Sequence, residues 1–557
     1  MSVGRYPGGG GLSTAETGAE ASGRIARSAG VVATATLASR VLGLVRDITL
    51  ANLFAPGRTD AFFIAFMIPN LFRRLVGEGS LTVSLVPVFT EELQRSRQDA
   101  ARFFRATWTL AALVGGGIAI LGAIFADPLV RLFAPGFAGE PQKLALTVEL
   151  LRLCFPYIWL LTLVAAAMGA LNALGHFFAP AIAPVLLNLS LLAGAAAGFA
   201  WMDPPILALG WAVLAAGLLQ VAAQIGPLLR LGMEFRPRLA LGDPAVRKLV
   251  ALMLPALLGA SVFQLNLVVS RLLASFFGDG AVSYLYYAAR LIEFPLGVFV
   301  FAIGTASLPA FSRLAAAEDR EGLRQAFGSA LGLTLALVLP STVGLILLRE
   351  PIFAVLFGWN PSLFGQEAMR VCSLALLFYA LGLAPVAVAR QLVALCAAHH
   401  DTRIPARGAL VGLGVNVIAA LLLIGPLPAA SLPGPLQALR YVPHPLDLDY
   451  LGLALASSIA AAANLTWIAW SARRRYGRLL PSGTGGRVGR LLIASGALAG
   501  FLALTRGLWP MGPAASLRSA GLLTAQVGLG GTLYLATLWL LGSPEWRAGL
   551  RLLRREV

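Results

Sequence analysis

The sequence predicts an all-α, polytopic membrane protein with about fourteen transmembrane helices: two pseudo-symmetric six-helix lobes around a central cavity, plus two C-terminal helices. The 557 residues are 58% hydrophobic and only 12% charged, which leaves too few charged groups to cover an ordinary water-exposed surface. Apolar runs of about twenty residues, enough to cross a hydrocarbon core of roughly 30 Å, recur along almost the whole chain. Short motifs of the first half also return in the second.

The limits of the spans follow from the charges, prolines and glycines that interrupt the apolar runs. The spans are predicted at residues 31–54, 61–89, 108–130, 148–174, 179–201, 206–231, 249–277, 282–308, 326–357, 369–397, 408–427, 451–470, 491–508 and 520–541. The first lobe covers 31–233, the second 247–473, and the additional helices 488–543. Residues 1–30, rich in small residues, are predicted to be a disordered cytoplasmic tail, and 544–557 a basic cytoplasmic tail.

The placement of the basic residues behind the net charge of +17 indicates how the chain is oriented in the membrane. If the N-terminus lies inside, most Lys and Arg residues fall in the tails and the even-numbered loops, for example in the cluster Arg473, Arg474, Arg475 and Arg478. This asymmetry matches the positive-inside rule, so both termini are predicted to be cytoplasmic. No nucleic-acid partner is needed to explain the basic charge. The three cysteines lie in or beside apolar runs, so neither a disulfide framework nor a metal site is predicted.

The first span contains charges within "SRVLGLVRDITLANLF", which starts at Ser39. A charge at the centre of a membrane helix costs roughly 2.5 to 3.5 kcal/mol on insertion, so Arg40, Arg46 and Asp47 are expected to face a polar cavity. Arg40 and Asp47 are seven residues apart and share nearly the same helix face, with Gly43 between them. The alternative is an internal ion pair of Arg40 with Asp47 that only holds two helices together.

The second span contains the arginine pair Arg73 and Arg74 in "IPNLFRRLVGEGSLTVSLVPVF". Counted from Ala61, Arg73 lies about twelve residues into the helix, or roughly 18 Å, which is mid-membrane. Pro69 removes a backbone donor, and Gly77 loosens the following turn. The sequence therefore predicts one broken helix that lines a cavity, because broken helices at membrane depth are tolerated there.

The second half repeats this design. Arg290 and Glu293 lie in "SYLYYAARLIEFPLG". "SRVLG" at Ser39 returns as "SRLLA" at Ser270, and "SLVPVF" at Ser84 returns as "SLPAF" at Ser307. Two lobes descended from one unit are indicated. Their polar helices would face one cavity, to which the first lobe contributes Arg40, Arg46 and Arg73, and the second Arg290 and Arg271.

Converging arginines indicate an anionic substrate. The guanidinium fork suits bidentate binding of phosphate, and several forks match a diphosphate better than a single carboxylate. Asn188, Gln264 and Asn266 either bind hydroxyl or amide groups of a substrate or bond neighbouring helices. No P-loop is present, so ATP hydrolysis is not expected. A membrane glycosyltransferase or phosphatase would need a carboxylate pair near a membrane surface; Asp447 and Asp449 have the spacing but lie in a predicted outer loop among prolines.

Several of these stretches resemble one known family. They are "SRVLGLVRDITLANLF", "TDAFFIAFMIPNLFRRLVGEGSLTVSLVPVF", "APGF" at Ala134, "FPYI" at Phe155, "LNALGHFFAPAIAPVLLN" and "YYAARLIEFPLG". They are similar to the MurJ (MviN) family, the lipid II flippases of bacterial cell-wall synthesis, in the superfamily of multidrug, oligosaccharidyl-lipid and polysaccharide exporters. The resemblance covers essentially all of residues 31–541.

The resemblance implies a transporter, not an enzyme, in the bacterial cytoplasmic membrane. Its expected cargo is lipid II, an undecaprenyl-diphosphate-linked glycopeptide, or as an alternative another polyprenyl-diphosphate-linked glycan. The diphosphate would be held by Arg40, Arg46, Arg73 and Arg290, and the polar residues that pair with them or gate the cavity would be Asp47, Asp60, Glu78, Ser283, Glu293 and Arg271. Ser283 would line the portal, and the last two helices would form a groove for the lipid tail. Membrane lipids and cell-wall synthesis enzymes are the expected partners of a monomer.

Two departures from the family pattern stand out. Ala289 replaces an aspartate that some members have before the cavity arginine. Some members also have a sodium site with carboxylates on the seventh and eleventh helices, whereas the spans 249–277 and 408–427 contain neither Asp nor Glu. Sodium coupling, a metal and a cofactor are therefore not expected, and the coupling ion stays open. A drug exporter of the same superfamily would instead need cavity carboxylates.

Overall fold

The computed structural model describes residues 18–427, 447–509 and 515–546, and the all-α prediction is confirmed within these ranges. The helices are α1 (Gly18–Leu53), α2 (Pro56–Phe72), α3 (Thr82–Arg95), α4 (Arg97–Ile124), α5 (Ala126–Phe133), α6 (Pro141–Cys154), α7 (Pro156–Ala173), α8 (Phe178–Trp201), α9 (Leu207–Arg230), α10 (Pro244–Ala274), α11 (Ala281–Pro295), α12 (Phe301–Ala316), α13 (Arg320–Leu347), α14 (Arg349–Phe357), α15 (Gln366–Leu381), α16 (Leu383–Ala398), α17 (Arg403–Leu423), α18 (Leu451–Tyr476), α19 (Thr484–Leu508) and α20 (Leu517–Leu540). Two π-helical segments, Arg73–Leu81 and Leu296–Val300, and a 3₁₀ turn, Pro135–Gly139, complete the regular structure of these ranges.

The membrane-spanning character is also confirmed. Within the described ranges, eleven helical segments are long and apolar enough to cross a membrane. Three of these segments each contain two consecutive helices, namely α6 with α7, α11 with α12, and α15 with α16. The long elements α1, α2 to α3, and α10 are not among the eleven, and the count of about fourteen spans remains a prediction.

Two predicted boundaries were wrong. Helix α1 begins at Gly18, inside the predicted disordered tail 1–30, because residues 19–27 contain several good helix formers. The predicted span 326–357 is divided at Leu348 into α13 and α14. Pro351 lies in the first turn of α14, where a proline is tolerated. Residues 1–17 and 547–557 of the two predicted tails lie outside the described residues.

The helices pack as two bundles. In the first lobe, α8 packs against α1 and α9, and α7 packs against α4 and α9. In the second, α18 packs against α16 and α17, and α15 packs against α11. Large aromatic side chains fill the shared core, and Tyr157, Phe62, Tyr287 and Phe353 are almost completely buried. Helix α19 packs against α13 and α20, which places the C-terminal pair on the second lobe.

Helix α10 belongs to both lobes. Near its start, Val246 and Leu249 are buried in the same cluster as Leu85 of the first lobe, and Lys248 forms an ion pair with Glu91 of α3. Near its end, α10 packs against α17 of the second lobe. Its first turns therefore belong to the packing of the first lobe, although the sequence assigned residues from 247 onward to the second.

The predicted break after α2 is a change of helical winding. The chain continues from α2 through the π-helical Arg73–Leu81 into α3 without leaving the helix. The wide turns follow Pro69, which cannot donate to the preceding carbonyls, and the hydroxyl of Ser80 donates to the Leu75 carbonyl at 3.0 Å. The second lobe has the equivalent feature, since α11 ends at Pro295 and Leu296–Val300 is also π-helical. This shared irregularity agrees with the predicted internal repeat, which stays a prediction. Turns of π-helix are frequent at functional sites.

Candidate anion site between the lobes

The centre of the site is an adjacent pair on α1. Arg46 is 7% exposed and Asp47 is fully buried. The Asp47 Oδ1 atom accepts from Arg46 Nε at 2.9 Å and from Arg46 Nη2 at 2.6 Å. The other arginine contacts leave α1, because Nη2 also donates to the Tyr286 hydroxyl at 2.8 Å and Nη1 to Asn188 Oδ1 at 3.0 Å. Both lobes therefore orient the Arg46 guanidinium.

Arg290 brings the second lobe to the same carboxylate. Its Nε lies 3.1 Å from Asp47 Oδ2, and its Nη1 donates to Glu293 Oε2 at 2.8 Å. One carboxylate thus bridges an arginine of each lobe across more than 240 residues of sequence. Arg271 joins this group through an aromatic ring, since its guanidinium carbon lies 5.1 Å from the centre of the Tyr286 ring, within the range of a cation–π contact.

Two glycines leave space for arginine side chains that reach from one lobe to the other. A Cβ added to Gly43 of α1 would lie 2.2 Å from Arg290 Nη2, and one added to Gly297 would lie 1.6 Å from Arg40 Nη1. Each arginine therefore occupies the space above a glycine of the opposite lobe. Arg40 Nη1 also donates to the main-chain carbonyl of Glu293 at 3.3 Å. Asp47 pairs with Arg46 and Arg290, so the internal Arg40–Asp47 pair considered from the sequence is not the arrangement found.

Asn188 of α8 has an orienting role that the sequence left open. Besides accepting from Arg46, its amide nitrogen donates to the carbonyl of Ser39 at 2.9 Å. Of the two sequence-based alternatives, it therefore bonds a neighbouring helix. Tyr286 and Gly297 were missed, because an aromatic residue and a glycine in an apolar span are common and carry no charge signal.

A cavity of about 550 Å³ begins at Arg40, Arg290 and Glu293 and extends between the second lobe and the C-terminal helices. Its remaining lining is mostly apolar and comes from α13, α19 and α20, with Leu337, Leu498, Leu502, Val527, Gly531 and Leu535 among the contributing residues. Polar side chains are few there, and Gln526, Tyr534 and Glu545 are examples. A continuous space therefore joins a cationic end to an apolar groove.

Arg73 and Glu78 are two further residues of the predicted site. Arg73 lies on the first π-helical segment, and its Nε donates to Asn70 Oδ1 at 2.9 Å; its place in the anion site remains a prediction. The side chain of Glu78 lies outside the described part of the chain. An arginine that the sequence did not single out is Arg390 of α16, whose guanidinium carbon lies 4.3 Å from the centre of the Phe301 ring, one residue after the second π-helical segment.

Asp60 and Ser283 form a separate contact between the lobes, called here the Asp60 latch together with Lys143 and Asp279. The fully buried Asp60 accepts the backbone N–H of Gly280 at 2.7 Å and that of Ser283 at 2.8 Å, so it binds the positive N-terminal end of α11. Lys143 of α6 lies 3.2 Å from Asp60 and 2.7 Å from Asp279. Lys143 is therefore the cation that pairs with Asp60.

Ser283, the predicted portal residue, is enclosed between the lobes in this conformation. Its side chain is fully buried, because its hydroxyl donates to Asp60 Oδ1 at 2.6 Å and lies 2.8 Å from the hydroxyl of Thr59. Both partners belong to α2 of the opposite lobe. The latch therefore holds the start of α11 against the start of α2.

The two helices considered for a sodium site from the sequence meet through neutral groups. Helices α10 and α17 meet through the amides of Asn266 and Asn416, with Asn416 Nδ2 donating to Asn266 Oδ1 at 2.6 Å and approaching the Ser270 hydroxyl at 3.5 Å. Hard cations such as calcium or magnesium favour carboxylate oxygens, and the two amides here are already bonded to each other. This pair of amides does not fit a carboxylate cation site.

The electrostatics of the site favour an anion. Arg40, Arg46 and Arg290 supply three positive charges, and Asp47 and Glu293 supply two negative ones, so the group is net positive. In a low-dielectric interior such a charge attracts anions far more strongly than at a water-exposed surface. Their depth follows from helix geometry: Arg46 is seven residues, or roughly 10 Å, from the end of α1, and Arg290 is roughly 14 Å from the start of α11. Both charged side chains therefore lie well inside their helices, away from the helix ends.

Comparisons with known proteins agree on one family. A sequence profile described as "Lipid II flippase MurJ" matches residues 50–434. The chain is 33% identical over 538 residues to a probable lipid II flippase MurJ of Vibrio cholerae, covering 93% of this chain and 96% of the relative. It is 32% identical over 518 residues to the lipid II flippase MurJ of Burkholderia cenocepacia, covering 91% and 95%.

Solved structures show the same fold. A lipid II flippase MurJ in an inward closed conformation matches with a TM-score of 0.73 at 23% identity, covering 93% of this chain and 99% of that one. An inward-facing multidrug resistance MATE family transporter of the MOP superfamily matches with a TM-score of 0.63 at 16% identity, covering 79% and 95%. With a family profile over most of its length and relatives above 30% identity across nearly all of it, the chain belongs to the MurJ family of lipid II flippases.

Proposed function

We propose that this protein moves lipid II from the cytoplasmic to the outer leaflet of the bacterial cytoplasmic membrane by alternating access. The observation that carries the proposal is the meeting of Arg40, Arg46 and Arg290 from two lobes at the head of an apolar groove. A diphosphate has charges and acceptor oxygens for these donors, and a polyprenyl tail has the chemistry of the groove.

The proposed orientation places both termini in the cytoplasm, in accord with the distribution of Lys and Arg. In that orientation α1 runs outward, so the Asp60 latch lies on the outer side of the anion site. When the latch is closed, the arginines lie on its cytoplasmic side. This arrangement suits a state that receives the head group from the cytoplasm. The lobes then rock, the latch opens, and the head group leaves outward while the tail stays in the bilayer.

The membrane potential is a candidate energy source for resetting the empty carrier. Moving one charge through 100 mV is worth roughly 2.3 kcal/mol, and the empty site is net positive. A negative interior favours return of this site toward the cytoplasm, whereas the anionic cargo neutralises it on the outward step. No bound cation is required by this scheme.

Depletion of the protein in its own bacterium tests the cargo. The expected result is accumulation of lipid II in the inner leaflet, measured by extraction and mass spectrometry together with an outer-leaflet accessibility assay. Complementation with wild type restores the outer pool, whereas Arg46→Ala and Arg290→Ala do not. Accumulation of a different polyprenyl-diphosphate-linked glycan would assign that glycan as the cargo, and full complementation by both variants would refute the anion site.

A further inference from the structure

We infer that Asp47 is an internal competitor of the substrate diphosphate, and that its displacement couples binding to separation of the lobes. The inference rests on the proposed function and adds a step to it. In the conformation described, the carboxylate of Asp47 occupies the position between Arg46 and Arg290 that a diphosphate would take. Binding of the cargo and the Asp47 bridge are therefore mutually exclusive.

The donors of Arg46 establish this exclusion. A guanidinium has five N–H groups. On Arg46, the Nε and Nη2 edge faces Asp47 Oδ1, Nη2 also donates to Tyr286, and Nη1 donates to Asn188. The edge that would bind a phosphate in the bidentate manner is thus already occupied by a carboxylate. A phosphate gains two strong hydrogen bonds from this edge of Arg46 only after Asp47 has moved away.

Arg290 is held by an ion pair with the same carboxylate, whose Oδ2 atom accepts no hydrogen bond from the described residues. Its Nε faces Asp47 Oδ2 and its Nη1 donates to Glu293, while its Nη2 lies against Gly43. Glu293 is on the same helix as Arg290 and half exposed, so its release changes no contact between lobes. Asp47 differs, because it is fully buried and belongs to the opposite lobe. Only its displacement removes an ion pair that joins α1 to α11.

A ligand shifts a conformational equilibrium only by its differential affinity for the two states. The Asp47 bridge supplies that difference, since a closed bridge excludes the diphosphate and a bound diphosphate excludes the bridge. The empty carrier is held together by its own carboxylate, and the loaded carrier loses this contact. The cargo thereby weakens the closure at the outer ends of α1 and α11 that separates it from the exit.

The experiment compares wild type with Asp47→Asn as full-length, detergent-purified proteins, with inorganic diphosphate as the probe in isothermal titration calorimetry. Asparagine keeps the shape and removes the competing charge, so the variant is expected to bind diphosphate roughly tenfold more tightly, as for the loss of one competing ion pair. If Asp47 only held the two arginines in place, Asp47→Asn would bind diphosphate more weakly than wild type, because the arginines would then be disordered. The control is Asp127→Asn, whose carboxylate pairs with Arg131 within α5 and whose loss leaves the affinity unchanged.

A second measurement follows the lobes directly. Asn360 donates its backbone N–H to Asn52 Oδ1 at 2.8 Å, so cysteines at these two positions report contact between the end of α1 and the second lobe; the native cysteines are all buried. Diphosphate is expected to lower the cross-linking yield severalfold in the wild-type background. In the Asp47→Asn background the yield is low already and diphosphate does not change it.

The outcomes separate the two proposals. If wild type does not bind diphosphate, the proposed function fails and this inference fails with it. If wild type binds diphosphate but Asp47→Asn binds equally well or more weakly, only the inference is overturned. An unchanged cross-linking yield on addition of diphosphate to wild type would also overturn it, since the bridge would then be compatible with the ligand.

Discussion

The positions of the charged side chains in this site depend on residues of the opposite lobe. Arg40 and Arg290 are flexible side chains, and each is held where it is by a glycine of the other lobe that leaves room for its guanidinium. Asp47 has two neighbouring cations, and their arrangement allows the same carboxylate to orient both. Substitutions at the glycines should therefore disturb the arginines without disturbing the helices.

We predict that Gly43→Ala and Gly297→Ala each lower flipping by about tenfold or more, because small misplacements of a binding group have effects of this size. The added methyl would overlap Arg290 in one case and Arg40 in the other, and the flexible guanidinium moves while the backbone does not. Flipping is measured by complementation and by outer-leaflet lipid II. The control is Gly344→Ala, which lines the same cavity but whose Cβ would meet no atom within 4 Å. Equal activity of all three variants would contradict the prediction.

The sequence predicted the charged members of this site and missed their neutral partners. Arg46, Asp47 and Arg290 could be found because charges inside apolar spans are costly and therefore informative. Tyr286 and Gly297 could not, since such residues are frequent in membrane helices for packing reasons alone. Pairing is also a long-range property, and nothing local in the sequence indicates that residues more than 240 positions apart share a carboxylate.

At the scale of helices, irregular winding and end capping decide where side chains point. The π-helical segments follow Pro69 and Pro295, and the sequence indicated the first irregularity through its proline and glycines but interpreted it as a break. A missing proline donor can be accommodated by widening the turns as well as by ending the helix. The sequence does not distinguish these solutions, because packing against the neighbouring helices selects one. Helix ends are more predictable, since a capping carboxylate acts locally.

Asp401 provides a test of such a capped end, in the loop between α16 and α17. Its Oδ1 accepts the N–H groups of Arg403 at 2.9 Å and Ile404 at 3.3 Å, and its Oδ2 accepts from Tyr476 at 3.2 Å and pairs with Arg475 at 3.0 Å. Burial alone would raise the pKa of Asp401, but these hydrogen bonds and the ion pair together lower it below the ordinary value. The ionised carboxylate is therefore stabilised by folding.

We predict that Asp401→Ala lowers the stability of the folded protein by about 1 kcal/mol at neutral pH, as for loss of a helix-capping side chain. Because the folded pKa lies below the ordinary value of about 3.9, the contribution of Asp401 is fully present above that value and disappears as the pH falls through the folded pKa. Thermal unfolding in detergent at a series of pH values should show the two proteins converging in acid. A difference that grows as the pH falls would contradict the assignment, and Glu318→Ala, in a different loop, is the control.

At the scale of the whole molecule, polar contacts between the two lobes hold the described conformation together. The Asp60 latch and the Asp47 bridge, the ion pair of Asp47 with Arg290, both join the first lobe to α11. The first lobe therefore contacts α11 at two points along its length. The sequence predicted the two lobes from repeated motifs, but it did not predict Lys143 as part of the latch. A lysine at the start of an apolar helix looks like an ordinary interfacial residue until the fold places Asp60 beside it.

We predict that Lys143→Met favours the conformation with separated lobes. The substitution removes the cation shared by Asp60 and Asp279 and leaves a carboxylate buried without its ion pair, which is strongly unfavourable in the closed state. Double electron–electron resonance between spin labels on α5 and on the loop before α15 should show a larger long-distance fraction than in wild type. Arg131→Met is the control, because its ion pair lies within α5. An unchanged distance distribution would exclude Lys143 from the closure.

The proposed groove for the lipid tail gives the last prediction, which concerns how the C-terminal pair cooperates with the lobes. Gly531 of α20 lines the cavity that begins at Arg40, and a Cβ there would meet no atom within 4 Å, so Gly531→Trp can place its side chain in the groove without displacing a helix. The matched control is Gly528→Trp, which is also on α20 with open space at its Cβ but is not among the lining residues. If the groove holds the tail, Gly531→Trp lowers flipping of lipid II by about tenfold or more, because the indole displaces several methylenes of the tail and each buried methylene is worth about 0.8 kcal/mol. The affinity for inorganic diphosphate, which has no tail, stays unchanged. Flipping that is equally high in both variants would show that the tail remains outside the protein, and the apolar cavity would then need another explanation.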